Sequence, residues 1–66
     1  MKGVVTKQLI DKGFGFIRTD AGLEYFFHRS ACSPHEFDRM VVGTTVEFDP
    51  DEQAAKGPRA EEVRRA

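Results

Sequence analysis

Five of the seven aromatic residues lie in one short stretch of the chain, between positions 14 and 27. They fall in two segments, 14–19 and 24–28, which read as β-strands separated by the turn sequence Asp20-Ala21-Gly22. Because side chains alternate between the two faces of a strand, rings point to both sides of this pair. A 66-residue chain is too small to bury both faces of two adjacent strands. We therefore expect an exposed aromatic face.

The rest of the chain predicts three further strands and two irregular segments. The strands cover 3–9, 45–49 and 60–65. The Ala and Glu residues of 60–65 also favour a short helix, so a helix is the alternative for this segment. Residues 30–40 are predicted to be irregular, and 50–58 to form a polar loop. Five short strands in one small domain indicate an all-β fold that forms a closed or partly closed barrel, since closure removes exposed strand edges.

Strand alternation divides the aromatic residues between an interior and an outer face. One face supplies enough apolar residues for a core, namely Val5, Ile17, Tyr25, Phe27, Val46 and Phe48. Phe14, Phe16, Phe26 and His28 are then left for the outer face. The alternative, in which every phenylalanine packs in the core, fits the periodicity about as well, but it requires both strand faces to be buried.

Exposed rings next to positive charge point to a particular kind of ligand. A row of exposed aromatic residues is a large apolar patch, and such patches usually bind something. Lys7, Lys12 and Arg29 flank the aromatic segments. Bases stack on rings while cations follow the phosphates, so this combination favours a single strand of nucleic acid.

The overall charge does not by itself favour nucleic acid. Ten Lys+Arg stand against 11 Asp+Glu, a net charge of −1. The charge is uneven, however, with five basic and three acidic residues in 1–35 and five basic and eight acidic residues in 36–66. A basic surface in the first half remains compatible with these numbers, because attraction depends on local patches as well as on totals.

Other classes of function have little support in the sequence. The single cysteine, Cys32, excludes an intramolecular disulfide. No run of about 18 apolar residues occurs and the N-terminal residues lack the apolar core of a signal peptide, so we expect a cytoplasmic protein without a membrane partner. Gly13 and Gly15 lack the rest of a phosphate-binding loop, and His28, Cys32 and His35 are weak evidence for zinc. We expect no catalysis, no small-molecule substrate, no cofactor and no metal.

Two motifs resemble a known family. Residues 12–17 (KGFGFI) are similar to the first ribonucleoprotein motif of bacterial cold-shock proteins, and residues 24–28 (EYFFH) are similar to the second. The resemblance implies that residues 1–66 form a single cold-shock domain, a five-stranded antiparallel OB-fold barrel. It also implies binding of single-stranded RNA and DNA, and a role as an RNA chaperone or a regulator in the cold-shock or stress response.

The resemblance further implies which residues bind. The family's binding positions fall on Lys12, Phe14, Phe16, Phe26, His28 and Phe37, and its basic loop residue before Gly-Pro falls on Lys56. With Lys7 and Arg29 added, these residues are the predicted nucleic-acid interface. The rings and His28 would stack on bases and the cations would contact phosphates or bases, which implies a weak sequence preference.

The chain departs from the family's pattern at three stacking or packing positions. Thr6-Lys7-Gln8 stands where the family carries Lys-Trp-Phe, and Arg29 stands where an aromatic residue usually follows the histidine. Each lost platform is expected to weaken binding about fivefold to a hundredfold, and Lys7 and Arg29 to offset part of that loss at phosphates. We expect weaker, salt-dependent binding by a monomer. The alternatives are a dimer and an OB-fold protein-interaction module that has largely lost nucleic-acid binding.

Overall fold

The computed structural model describes residues 1–54 and 57–66, and within them contains five β-strands and two single-turn 3₁₀ helices. None of the helical segments in these two ranges has the length and apolar character needed to cross a membrane. In chain order the elements are β1 (Lys2–Leu9), β2 (Phe14–Arg18), β3 (Glu24–His28), a first 3₁₀ turn (Arg29–Ala31), a second 3₁₀ turn (Phe37–Arg39), β4 (Thr45–Asp51) and β5 (Arg59–Arg65).

The strands form a closed barrel in the order β1-β2-β3-β5-β4, which confirms the predicted five-stranded fold. The β1–β2, β2–β3, β4–β5 and β1–β4 pairs are antiparallel. The β3–β5 contact is parallel, with Phe26 opposite Arg59. There the amide of Phe26 donates a hydrogen bond to the carbonyl oxygen of Pro58 at 3.2 Å. This short parallel contact closes the ring and brings β5 to the edge of the aromatic strands.

The last segment is a strand rather than a helix. Along β5, Ala60 lies opposite Pro50 and Arg64 lies opposite Glu47 on β4. This pairing outweighs the local helical preference of Ala and Glu, because strand preference depends mostly on neighbouring strands. β4 extends through Asp51, so the predicted polar loop begins later than residue 50. Lys56, the cation predicted in that loop, lies outside the described residues.

All six predicted core residues are buried. The interior also holds residues from the irregular segment and from β5 that the strand pattern had not marked, namely Ala31, Phe37, Met40, Ala60 and Val63. Tyr25 packs on Phe48 and Phe27 on Phe37, with ring centroids 5.0 and 5.7 Å apart. Phe14, Phe16 and Phe26 stay outside this core, so the alternative with every phenylalanine in the interior is wrong.

An irregularity in β1 decides which way its second half faces. Val5 lies opposite Ile17 and points into the core, and Lys7 lies opposite Phe16, so the register shifts by one residue at Thr6. Strict alternation would place Lys7 on the same side as Val5. A β-bulge, which adds one residue to one strand, turns Lys7 outward instead.

Candidate nucleic-acid interface

Three half-buried phenylalanine rings form a continuous cluster on the outside of β2 and β3. The centroids of Phe14 and Phe26 are 5.4 Å apart, those of Phe16 and Phe26 are 5.9 Å apart, and those of Phe14 and Phe16 are 6.1 Å apart. These distances are typical of tilted and edge-to-face aromatic pairs. We call the surface made by these rings and His28 the outer face. It leaves part of each ring open to a ligand.

Cross-strand pairing extends the outer face in two rows. In one row Lys7 lies opposite Phe16, Phe16 opposite Phe26, and Phe26 opposite Arg59. Two aromatic residues are thus flanked by cations contributed by β1 and β5. In the other row, Phe14 lies between the half-buried Leu9 and His28.

Gly15 allows the two rows to sit close above the core. Its position faces the interior beneath Phe14 and Phe16. A Cβ there would meet the carbonyl oxygen of Lys7 and would lie 2.8 Å from Cε1 of the Phe27 ring. A side chain at this position would therefore push β1 or Phe27 away from β2.

The orientation of His28 is set by its neighbour Ser30. The backbone N–H of Ser30 donates to Nδ1 of His28 at 3.1 Å, and the Ser30 hydroxyl lies 3.0 Å from the same nitrogen. Because a backbone N–H can only donate, Nδ1 is an acceptor, and the neutral ring carries its proton on Nε2. His28 thus combines a ring face with a hydrogen-bond donor at the end of β3.

Lys7 and Lys12 are both exposed, Lys7 on β1 and Lys12 in the turn between β1 and β2. Lys12 belongs to a tight turn, since the amides of Lys12 and Gly13 donate to the carbonyl oxygen of Leu9 at 3.2 and 2.8 Å. Lys7 lies opposite Phe16 of the outer face, and Lys12 precedes the first residue of β2 by two positions. Neither ammonium group forms an ion pair with a described carboxylate. They are available to phosphates.

Among residues 1–54 and 57–66, no three His, Cys, Asp or Glu side chains come together as a potential metal site. Cys32 is half-buried beside β5, where its backbone forms an isolated parallel β-bridge with Val63. Burial, with a smaller contribution from the Glu36 carboxylate, raises the pKa of the Cys32 thiol to about 11. The thiol is protonated at neutral pH and behaves as a small apolar side chain.

The chain is similar to known proteins over most of its length. The model of the 'Cold-shock' DNA-binding domain family matches residues 1–66. The chain belongs to the cold-shock domain family. Cold shock protein 2 of Lactiplantibacillus plantarum is 42% identical over 53 residues, which cover 80% of this chain and 79% of that protein. Cold shock protein CspC of Bacillus subtilis is 41% identical over 56 residues, 85% of this chain and 83% of that protein. Nucleic-acid binding is the general function that this membership supports.

Two of the departures from the cold-shock pattern have structural roles here. Nε2 of Gln8 donates to the carbonyl oxygen of Phe37 at 2.9 Å and ties β1 to the second 3₁₀ turn. Nη2 of Arg29 donates to the carbonyl oxygen of Ile10 at 3.0 Å, and the Arg29 amide donates to the carbonyl oxygen of Gly13 at 2.8 Å. Arg29 therefore fastens the turn before β2 to the end of β3, while its exposed guanidinium keeps other donors for a ligand.

Phe37, which is predicted to stack on bases, lies in the core of the structure. The residue is only 5% exposed and packs on Phe27, with the Cζ of Arg29 at 5.8 Å from its ring centroid. Its ring therefore does not belong to the outer face, and its stacking on a base stays a prediction.

Arg59, for which the sequence makes a phosphate contact conceivable, and Leu9 are not in the predicted set of interface residues. Arg59 immediately precedes Ala60, a buried residue of β5, so alternation along a strand would have placed it outside. Leu9 faces outward only because of the bulge at Thr6. Of the other predicted site residues, the structure brings Lys7, Phe14, Phe16, Phe26 and His28 together, with Lys12 and Arg29 at one end.

Proposed function

We propose that residues 1–66 act as a single cold-shock domain that binds single-stranded RNA and DNA through the outer face. One observation carries this proposal: three mutually packed phenylalanine rings remain half-exposed on a barrel whose core is already complete. Exposed aromatic clusters of this kind are stacking platforms in proteins that bind single strands.

Stacking on Phe14, Phe16 and Phe26 supplies the base contacts. Base–aromatic stacking contributes about 1–3 kcal/mol per base and tolerates any base, since every base has a π-face. His28 adds a fourth ring, and its Nε2–H donates to an oxygen of a base or phosphate. Weak sequence preference follows, because most of the binding free energy comes from ring faces.

The cations supply phosphate contacts. Lys7 and Lys12 are exposed beside the rings, and Arg29 retains free donors after its bond to Ile10. We include Lys56 among the proposed phosphate contacts because it falls on the basic loop position that the cold-shock family carries before Gly-Pro. Each phosphate neutralised on a single strand releases counterions and adds about −0.7 to the slope of log K against log salt. Binding therefore weakens steeply as salt rises.

An RNA chaperone activity follows from mass action. A protein that binds the single strand and not the hairpin draws the equilibrium toward the open form.

We propose that the protein works as a monomer, because one face carries all the proposed contacts. The half-buried free thiol of Cys32 supports a reducing compartment such as the cytoplasm.

The first experiment measures fluorescence anisotropy of a labelled single-stranded pyrimidine heptamer, as RNA and as DNA, at two salt concentrations. Phe16→Ala is expected to weaken binding by about fivefold to a hundredfold through loss of one platform. Phe16→Leu keeps an apolar side chain without the ring, so it is expected to lose affinity while remaining folded. Val42→Ala, at a position 63% exposed and outside the outer face, is the matched control and is expected to bind normally.

Absence of binding by the folded wild-type protein would overturn the proposal. It would favour the other candidate, a barrel whose aromatic face meets a protein partner. Equal affinity at low and at physiological salt would also count against phosphate contacts, since an apolar contact between proteins changes little with salt.

A further inference from the structure

Arg59 occupies the end of the row that contains Phe16 and Phe26. It is the first residue of β5 and lies opposite Phe26 across the parallel contact that closes the barrel. Its guanidinium carbon is 5.5 Å from the centroid of the Phe26 ring, a cation–π distance. With its side chain 37% exposed, the planar group extends the aromatic surface and adds a positive charge to it.

The polar contacts of Arg59 are incomplete. Its Nε is buried and has no hydrogen-bond partner among the described residues. The nearest acidic group is the carboxylate of Glu61, whose Oε2 lies 3.6 Å from Nε, close enough for an ion pair and too far for a hydrogen bond. Native proteins leave few buried donors unpaired, and each such group needs an explanation, one of which is an ion or water that completes the bonding.

We propose that Arg59 binds a phosphate of the bound single strand, and that Glu61 is a resident counter-ion which this phosphate displaces. The inference rests on the proposed function and adds to it a binding residue and an internal competitor on β5. A guanidinium presents a planar fork that matches two phosphate oxygens, whereas the Glu61 carboxylate reaches it only at ion-pair distance. Lys7 and Arg59 then hold the backbone on opposite sides of the Phe16–Phe26 pair.

The negative charge of the Glu61 carboxylate is expected to weaken nucleic-acid binding. Glu61 is 45% exposed, and it follows Arg59 by two positions on the same strand. While Glu61 is charged, a phosphate must compete with it and approach a negative group. Neutralising Glu61 is therefore expected to tighten binding, but only as long as Arg59 is present to receive the phosphate.

The test is a double-mutant cycle by anisotropy with a labelled single-stranded pyrimidine heptamer. Arg59→Gln is expected to weaken binding about fivefold at 0.1 M salt and to lower the magnitude of the salt slope by about 0.7, the loss of one phosphate contact. Arg59→Lys keeps the charge and loses the fork, so it is expected to keep the slope and lose part of the affinity. Glu61→Gln is expected to tighten binding by roughly twofold to fivefold.

The coupling between the substitutions at Arg59 and Glu61 distinguishes displacement of Glu61 from general charge repulsion. In the Arg59→Gln background, Glu61→Gln is expected to leave affinity nearly unchanged, because the two residues act on one phosphate. Arg39→Gln and Glu47→Gln are the matched controls, since both residues form ion pairs elsewhere, Arg39 with Glu36 and Glu47 with Lys2. Both control variants are expected to keep the wild-type slope. Thermal unfolding of every variant checks that the barrel is intact.

Two results would overturn the inference without touching the proposed function. In one, the wild-type protein binds and Arg59→Gln binds with the same affinity and slope. In the other, Glu61→Gln tightens binding equally with and without Arg59, which would reduce its effect to general repulsion. Failure of the wild-type protein to bind at all would overturn the proposed function and this inference with it.

Discussion

At position 15 the sequence carries the smallest residue between two large ones, and the structure supplies the reason. The Phe27 ring and the carbonyl oxygen of Lys7 occupy the space where a Cβ would project. The outer rings at 14 and 16 and the packed core beneath them are compatible only if this position has no side chain. The outer face and the core thus meet at one glycine.

Gly15→Ala is expected to lower the free energy of unfolding by about 1–3 kcal/mol, the usual cost of overpacking a rigid site. Urea unfolding followed by circular dichroism would measure it. The exposed turn substitution Ala21→Ser is the control and is expected to change stability by less than about 0.5 kcal/mol. A Gly15→Ala protein as stable as wild type would show that β1 yields easily around the bulge.

At the scale of elements, the second 3₁₀ turn contributes to the core of the barrel. It delivers Phe37 to the core, where the ring meets Phe27, and Gln8 holds its backbone from β1. Arg29 covers the same ring from outside. Two of the three positions that depart from the family's aromatic pattern, Gln8 and Arg29, therefore secure this turn.

Phe37→Leu is expected to cost about 1 kcal/mol of stability, as a nearly volume-conserving core change, and to alter oligonucleotide affinity less than about twofold. Urea unfolding and anisotropy on the same protein would separate the two effects. Phe37→Ala is expected to cost more, about 3–5 kcal/mol, by leaving a cavity. If Phe37→Leu lost affinity like Phe16→Leu while keeping its stability, the ring would have to leave the core when nucleic acid binds.

At the scale of the whole molecule, two groups among the described residues are expected to make stability depend on alkaline pH. Burial raises the pKa of Cys32 from 9.0 to about 11, and burial together with the Glu52 carboxylate raises the pKa of Tyr25 above 10.0. The folded state therefore holds both protons more tightly than the unfolded state. These contributions are complete below the unfolded pKa values and are lost as pH rises through the folded ones.

The free energy of unfolding is expected to fall as pH rises from about 9 to 11. Urea unfolding at a series of pH values would measure the decline. Cys32→Ala removes the thiol, so its curve is expected to be flatter between pH 9 and 11 than that of the wild type. Parallel curves for the two proteins would show that the thiol titrates alike in the folded and unfolded states.

The division of the aromatic residues between core and outer face could be predicted because it depends on a local rule. Alternation along a strand needs no knowledge of partners, and it assigned Tyr25 and Phe27 to the interior and Phe26 to the outside, as the structure has them. The motif at 12–17 likewise indicated the family, because its residues are adjacent in sequence. The burial of Phe37 could not be predicted in this way, because an irregular segment has no hydrophobic periodicity.

By itself, the sequence determined the location of the first four strands, the six central core residues and the exposed rings. Tertiary structure alone decided that Lys7 turns outward, that 60–65 is a strand and that Arg59 meets Phe26. Each of these depends on a partner strand: the bulge on the register between β1 and β2, and the closure on a parallel contact between segments over thirty residues apart. Local patterns encode the two faces of a strand, whereas register and closure follow from the packing of the whole barrel.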